Sequence, residues 1–290
     1  MNAILQAIAY ADVFDYPLTS AEIHRYLIGM WATRDEVEQA LQRIQFLSQA
    51  DGYFTLPGRE ALCDLRRQRE RMATELWLKA NGYGRTIASL PFIRMVAVTG
   101  SLAMRNADES ADIDYLIVTE PGRLWFCRAM VLLVGRWAAM RGVNLCPNYL
   151  ISLRKLVFPD KTLYTAHEIA QMIPLSGLDV YDLLLKQNDW MFSYLPNARG
   201  VPSQDKPSTT LIQPPLAHPR IEAMLRTAPF TFLERWEMDR KIRRLTQEQG
   251  VSPESNFSSE ICKGHAHLHQ AHTQVALKER LTRLQIDFNL

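Results

Sequence analysis

The pattern of hydrophobic and polar positions changes along the chain, and its first 60 residues are helical in character. Apolar side chains such as Ile4, Leu5 and Ile8 recur at helical spacing, and residues 52–58 form an aromatic, strand-like stretch bounded by turn residues. Three short helices followed by a hairpin are typical of a winged helix-turn-helix. We therefore expect a winged-helix-like module at residues 1–60.

Two capping boxes mark the predicted starts of the second and third helices. Thr19 precedes Glu22 by three residues, and Thr33 precedes Glu36 by the same interval. In this motif the threonine hydroxyl accepts a bond from the backbone N–H of the third helical residue, and the glutamate accepts one from the threonine N–H. We expect helices to begin directly after both threonines.

Short, continuously apolar runs replace the helical pattern in the middle of the chain. Such runs are typical of strands that are covered on both faces. One helical segment separates the second run from the third. The predicted elements are strands at 93–99, 112–118 and 144–153, and a helix at 123–141.

Beyond residue 160 the pattern is mainly helical, and six prolines between residues 196 and 219 predict an extended connector. The whole chain therefore predicts an α+β fold in three parts. A small mixed-sheet core at 61–160 follows the winged-helix-like module, and a helical C-terminal region occupies 161–290.

Charge argues against nucleic acid as a partner. The 33 basic and 31 acidic residues nearly cancel, and residues 1–60 carry four arginines against eight acidic side chains. A helix from Asp35 to Leu47 would enter the major groove of DNA, yet phosphate contacts need a positive surface. We expect a packing or protein-contact role for this module. The arginines of the next helix could meet an acidic partner or form a solvated face: Arg66, Arg67, Arg69 and Arg71.

Composition indicates an ordinary globular chain of a reducing compartment. The N-terminus lacks the features of a secretory signal, and Arg128 and Arg136 interrupt the most apolar stretch, residues 125–139, well short of a membrane span. We expect a cytoplasmic protein without a membrane partner. The cysteines are widely separated, which is typical of free thiols: Cys63, Cys127, Cys146 and Cys262.

Candidate chemistry is concentrated after the first predicted strand. Gly100 allows close approach of the backbone to a ligand, and Ser101 follows at a predicted helix N-terminus, where N–H groups favour a phosphate. Asp112 and Asp114 are two apart on the next strand, so both side chains project from one face and can share Mg²⁺. Two carboxylates on an apolar strand would repel each other unless paired or metal-bound, which favours a site over chance.

This arrangement resembles the signature of the nucleotidyltransferase superfamily that includes DNA polymerase beta. The signature is a Gly-Ser pair, a spacer of about ten residues and Asp-apolar-Asp on the next strand, and here the spacer has ten residues. The resemblance covers about residues 93–152. It implies that Gly100 and Ser101 bind the phosphates of an NTP, and that Asp112 and Asp114 hold Mg²⁺, as two ions.

The superfamily usually supplies a third carboxylate from a neighbouring strand, and here that strand offers Asn144 and Asn148. Asn148 is the better positional candidate, although an amide cannot take a proton. Glu168 is the nearest downstream acid, with His167 beside it as a candidate base; a solvated glutamate is the alternative. Arg105, where the superfamily often has a small residue, could bind a phosphate or be merely exposed.

Histidines cluster near the C-terminus. His265, His269 and His272 share one helical face, and Cys262 precedes them. Three interpretations stay open for this cluster: a zinc site, contact with a nucleotide or phosphate, and an ordinary polar helix start.

The sequence thus predicts an Mg²⁺-dependent nucleotidyltransferase that moves a nucleoside monophosphate from ATP or another NTP to an acceptor and releases pyrophosphate. A nearly neutral region at 161–290 favours a small molecule or a protein over RNA as the acceptor. One alternative is a catalytically impaired nucleotide sensor that acts through the winged-helix-like module. A transcription regulator is the other.

Overall fold

The computed structural model describes residues 1–202, 219–249, 255–264 and 269–286. The helices are α1 (Asn2–Asp12), α2 (Ser20–Arg25), α3 (Arg34–Arg43), α4 (Leu62–Ala88), α5 (Gly100–Ala103), α6 (Leu124–Ala139), α7 (Leu163–Gln171), α8 (Leu178–Gln187), α9 (Met191–Tyr194), α10 (Pro219–Leu225), α11 (Ala228–Gln249) and α12 (His269–Arg283). The strands are β1 (Leu18–Thr19), β2 (Ser48–Ala50), β3 (Tyr53–Thr55), β4 (Ile93–Val98), β5 (Ile113–Thr119), β6 (Leu145–Ser152), β7 (Ile173–Ser176), β8 (Ser255–Phe257) and β9 (Ile261–Gly264).

A mixed six-stranded sheet in the order β7-β4-β5-β6-β9-β8 forms the centre of the fold. β5 and β6 are parallel, and the other neighbouring strands are antiparallel. One hydrophobic cluster joins the sheet to α4 and α6, and a second joins it to α1, α7, α8 and α12. Because both faces are covered, β4 and β5 are buried along nearly their whole length. The predicted α+β class and mixed sheet are confirmed.

The sequence pattern predicts mainly helices beyond residue 160, and the structure adds three short strands there. β7 pairs with β4, and the β8–β9 hairpin pairs with β6, so the C-terminal region completes both sides of the sheet. These strands have three or four residues, which is too short for a period of two to stand out in the sequence. The three central strands and the helix between them lie where they were expected.

Both N-terminal capping boxes are present. Thr19 and Thr33 cap α2 and α3, and each glutamate, Glu22 and Glu36, accepts a bond from the backbone N–H of its threonine at 2.9 and 2.8 Å. Strands β1, β3 and β2 form a small antiparallel sheet beside these helices. A hydrophobic core of its own connects α1, α2 and α3.

The third helix is shorter than predicted. α3 ends at Arg43 rather than at Leu47, because the chain leaves helical geometry at Ile44 and must turn into β2, which pairs with β3. The apolar residues after Arg43 therefore belong to a turn and not to a continued helix.

The arginines of α4 bind the acidic N-terminal residues. Arg66 is 3% exposed, and its guanidinium pairs with Glu22 at 2.8 Å and with Glu70 at 3.0 Å. The same group lies 3.8 Å from the centre of the Tyr16 ring. Arg67 pairs with Asp51 of the β2–β3 turn. The expectation of a solvated face is therefore wrong for Arg66.

Two sequence predictions fall largely outside the described residues. They concern the proline-rich connector, of which residues 203–218 are not described, and the histidine cluster, of which residues 265–268 are not described. In the described part of the chain, no helix is long and apolar enough to cross a membrane. The four cysteines are all free, as expected.

Candidate functional site

A cavity of about 610 Å³ lies between the central sheet, α7 and the N-terminal helices. Side chains from α1, from the segments that flank α2, and from β5, β6, α7 and β9 line it. Five of the six residues predicted to form a site lie on this lining, and Arg105 does not. The five are Gly100, Ser101, Asp112, Asp114 and Asn148.

The two aspartates reach the cavity from the start of β5. Asp114 is the second residue of the strand, and Asp112 immediately precedes it. Their spacing places both on the cavity side, whereas Ile113 and Tyr115 between and after them are fully buried in the core. Asp112 is exposed and Asp114 is half-buried.

Gly100 packs directly against Asp114. The glycine has a φ of +65°, and a Cβ built on it would collide with the Asp114 carboxylate, only 3.2 Å from its Cγ. The Thr99 N–H donates to the Asp114 carbonyl oxygen at 3.0 Å. Both the left-handed backbone and the close carboxylate therefore require glycine here. Ser101 follows in the short helix α5 and is exposed at the cavity.

A β-bulge in β6 brings Asn148 to Asp114. Asp114 pairs with Cys146 and Leu116 pairs with Tyr149, so two residues of β6 face a single residue of β5. The Asn148 Nδ2 donates to Asp114 Oδ1, and the Cys146 thiol donates to Asn148 Oδ1 at 2.8 Å. The positional argument for Asn148 agrees with this contact.

Glu168 of α7 is a third carboxylate on the cavity lining. Burial raises its pKa to about 7, and Lys263 opposes that rise. Burial, together with Glu168 and Asp112, likewise raises the pKa of Asp114 to about 7. In the described ranges, no side chain forms a hydrogen bond or an ion pair within 4.0 Å of the Glu168 carboxylate. Its charge is therefore not neutralised by a direct partner there.

The three carboxylates do not form one compact metal cage. Among the residues that the structure describes, no group of three or more His, Cys, Asp or Glu side chains could hold one metal ion. Asp112 and Asp114 remain as a pair of oxygen ligands, and Glu168 stands apart from them. A cation at the pair would complete its coordination with water and phosphate oxygens, as Mg²⁺ commonly does.

His167 is part of an aromatic stack. Its ring lies on Tyr10 with centroids 3.7 Å apart and an interplanar angle of 12°, and Tyr26 lies 5.7 Å away. The Nδ1–H donates to the Leu163 carbonyl at 3.0 Å. Burial lowers the pKa of His167 to about 4, so the imidazole is neutral at physiological pH.

The N-terminal helices supply an aromatic wall that sequence reasoning missed. We use this name for the four cavity-lining side chains Tyr10, Phe14, Tyr16 and Tyr26. The spacing of Tyr10 and Phe14 on one helical face was a usable signal. The pattern did not reveal that this face covers a cavity of the central sheet, because that contact is made in the folded chain.

The structure places Lys263, and not Arg105, on the cavity lining. Arg105 has a φ of +55° and donates to Thr74 of α4 at 2.7 Å, away from the cavity lining. Lys263 of β9 lies on the lining instead. Its ammonium is 3.9 Å from Asp160 and 5.6 Å from the centre of the Tyr149 ring.

The C-terminal histidine cluster is only partly described. His265 and His267 fall outside the described residues, and nothing in the described part places His272 with other metal ligands. Cys262 is 5% exposed and belongs to the core between the sheet and α6. Its neighbour Lys263 faces the cavity from the opposite face of β9, so Cys262 points away from it.

Comparison of the chain with protein-family models, with curated proteins and with solved structures found no match. The residues of the cavity therefore carry the functional interpretation.

Proposed function

We propose that the protein is an Mg²⁺-dependent nucleotidyltransferase. It moves a nucleoside monophosphate from ATP or another NTP to an acceptor and releases pyrophosphate. The observation that carries this proposal is the convergence in one cavity of the Gly100–Ser101 turn, the aspartate pair and Asn148. The turn follows β4, and the aspartates lie at the start of β5, its antiparallel neighbour, as the resemblance to the nucleotidyltransferase superfamily implies.

The donor set suits Mg²⁺. Asp112 and Asp114 offer carboxylate oxygens from one face of β5, and hard oxygen ligands are those that Mg²⁺ prefers. Burial, together with the carboxylates of Glu168 and Asp112, raises the pKa of Asp114, and a bound cation would favour its ionised form. When bound, Mg²⁺ would neutralise the triphosphate and polarise the phosphorus that is attacked.

The remaining residues have distinct roles in this proposal. The backbone N–H groups of the Gly100–Ser101 turn bind phosphate oxygens, and the Asn148 amide orients the Asp114 carboxylate by donating to it. Glu168 takes the proton of the acceptor group. The acceptor atom then bonds to the α-phosphorus, the bond between that phosphorus and the bridging oxygen breaks, and pyrophosphate leaves.

Aspartate variants test the proposal. Asp112→Asn and Asp114→Asn should each lower Mg²⁺-dependent pyrophosphate release by about 100-fold or more, because an amide is a poor metal ligand. The matched control is Asp189→Asn, an exposed position outside the cavity lining. Turnover that survives both cavity variants would reject the proposal.

A nucleotide sensor is the second candidate, and two observations favour it. Asn148 stands where a third carboxylate is usual, and the aromatic wall connects the cavity to the N-terminal helices, which we interpret as a winged-helix-like module. The Tyr16 hydroxyl shares its one proton between two acceptors, the Met104 carbonyl oxygen at 2.7 Å and the Glu22 carboxylate at 2.8 Å. NTP binding without turnover, across a broad panel of amine and hydroxyl acceptors, would support the sensor.

A further inference from the structure

The half of the cavity between α7 and the aromatic wall has a chemical character of its own. Tyr10, Phe14 and Tyr26 contribute aromatic surface, and Met104 and Met172 contribute aliphatic surface. The aspartate pair lies beside Gly100, where the triphosphate and metal are proposed to bind. The half of the cavity between α7 and the aromatic wall is therefore available to bind the acceptor.

Glu168 is the carboxylate that α7 contributes to this half. It is close enough to the Tyr10 hydroxyl and to Asp114 to raise the pKa of both. The described residues provide no hydrogen bond or ion pair to its carboxylate, and Lys263 already contacts Asp160 and Tyr149. Within the described part of the chain, the carboxylate faces the cavity without a direct partner, so it is free to pair with a charged ligand. A bound ligand that brings a positive charge would be attracted to it.

Size limits the ligand class. The cavity of about 610 Å³ falls in the usual range for small-molecule sites, about 300–1,000 Å³. Its lining has three carboxylates, Asp112, Asp114 and Glu168, against the single ammonium of Lys263 among the described residues. The aspartates are assigned to the metal and Lys263 contacts Asp160, so Glu168 is the carboxylate of the lining that is left for a ligand.

We propose that this half of the cavity binds a small molecule with an ammonium group next to an aromatic or aliphatic ring, and that Glu168 receives the ammonium. The ring lies against the aromatic wall, where tyrosine faces also attract cations. As the identity of the acceptor, this inference rests on the proposed nucleotidyltransferase function. The binding itself requires neither nucleotide nor metal and is measured separately.

The experiment is calorimetric titration of the full-length protein in EDTA, without nucleotide, at about pH 8, where the Glu168 carboxyl is ionised. The probes are 2-phenylethylammonium, 2-phenylethanol and 3-phenylpropionate, which share a phenyl ring and differ in charge. The ammonium should bind saturably and at least about tenfold more tightly than the other two. Similar binding of all three, or no binding of the ammonium, would overturn the inference.

Variants test which carboxylate of the cavity binds the ammonium probe. Glu168→Gln should weaken binding of the ammonium probe by at least about tenfold, whereas Glu109→Gln, exposed and off the cavity lining, should not change it. Asp112→Asn should also leave it unchanged. Loss on Asp112→Asn with retention on Glu168→Gln would place the ammonium on the metal aspartates and refute the inference. If Glu168→Gln does not fold, the three probes on the unmodified protein still decide.

Failure of this inference and failure of the proposed function give different results. A protein that binds Mg²⁺ and NTP but not the ammonium probe contradicts only the acceptor class. A protein that binds the probe, but shows no Mg²⁺-dependent NTP binding, contradicts only the nucleotidyltransferase.

Discussion

Asp114 has the most constrained surroundings of the proposed metal ligands. Gly100 of α5 packs against its carboxylate, and Asn148 donates to it from the bulge in β6. A carboxylate in these two contacts has little freedom to rotate. Its position is therefore determined by two neighbouring elements, and changes in either should be measurable at the cavity.

Gly100→Ala should disable the cavity. The new Cβ would collide with the Asp114 carboxylate, and alanine is strained at a φ of +65°. We expect a loss of about 1–3 kcal/mol in the free energy of unfolding and no detectable Mg²⁺-dependent NTP binding, measured by urea unfolding and calorimetry.

Gly122→Ala is the control for Gly100→Ala, because it introduces backbone strain without a collision. Gly122 has a φ of +71°, but nothing lies within 4 Å of a Cβ built there. This variant should lose a similar amount of stability and retain nucleotide binding. Equal loss of binding in both variants would mean that the contact between Gly100 and Asp114 has no functional role.

The raised pKa of Glu168 predicts a pH-dependent stability. The folded carboxyl has a pKa of about 7 against an ordinary value of 4.5, so between these values the folded state binds the proton more tightly than the unfolded state. This tighter binding of the proton stabilises the folded state fully below about pH 4.5, and the stabilisation is lost as the pH rises through 7. Between those limits, Glu168→Gln in EDTA should gain up to about 3 kcal/mol relative to the unmodified protein.

Urea unfolding across this pH range measures the effect, with Glu109→Gln as the matched exposed control. Parallel stability curves for Glu168→Gln and the unmodified protein would show that Glu168 is not buried in the way described.

Individual residues of the cavity differ in how far the sequence reveals them. The short-range motif identifies the aspartates, because a spacing of two on a strand is enough to place both on one face. Glu168 is visible only as a nearby acid, since its approach to Asp114 depends on the packing of α7. Lys263 follows from the pairing of β9 with β6, a contact more than 100 positions apart in sequence, and no local pattern encodes it.

The contact between α2 and α4 is a buried polar link between the N-terminal helices and the rest of the chain. Arg66 on α4 is almost fully buried and reaches Glu22 on α2 and Glu70 on its own helix. Arg66 holds the pKa of Glu22 below its usual range. A buried ion pair of this kind is costly to break from one side, because the remaining charge stays buried.

Arg66→Met should lower the free energy of unfolding by about 3–5 kcal/mol, since the carboxylate of Glu22 would lose its counter-charge. Arg67→Met is the matched control. The Arg67 side chain is 43% exposed in its pair with Asp64, so its loss should cost about 0–1 kcal/mol. Urea unfolding of the two variants provides the comparison. Equal effects would show that Arg66 is not held in a buried pair.

Elements with strong local signals were predictable and the others were not. The capping boxes placed the starts of α2 and α3 because the motif involves only four consecutive residues. The bulge in β6 and the short strands β7, β8 and β9 depend on partners that are distant in sequence. Their formation is a tertiary effect, and the sequence pattern of a three- or four-residue strand carries no distinct period.

In the molecule as a whole, the acidic character of residues 1–60 is partly neutralised internally. Arg66 and Arg67 of α4 pair with Glu22 and Asp51, so part of this acidic charge is paired within the protein. The same N-terminal helices cover the cavity. We interpret the module as a packing element, and its excess of acidic over basic side chains disfavours phosphate contacts.

We therefore expect no saturable binding to duplex DNA, even at about 50 mM salt. Fluorescence anisotropy with labelled duplexes of mixed sequence measures this directly. An affinity that falls steeply as salt rises would instead indicate phosphate contacts and revive the transcription regulator.

The central claim is that the cavity at Asp112 and Asp114 binds an NTP through Mg²⁺. Calorimetric titration of the full-length protein with each of the four NTPs tests it most directly, in Mg²⁺ and again in EDTA. We predict binding of at least one NTP that requires Mg²⁺ and disappears in Asp114→Asn but persists in Asp189→Asn. If no NTP binds the unmodified protein in Mg²⁺, or if Asp114→Asn binds equally well, the claim is contradicted.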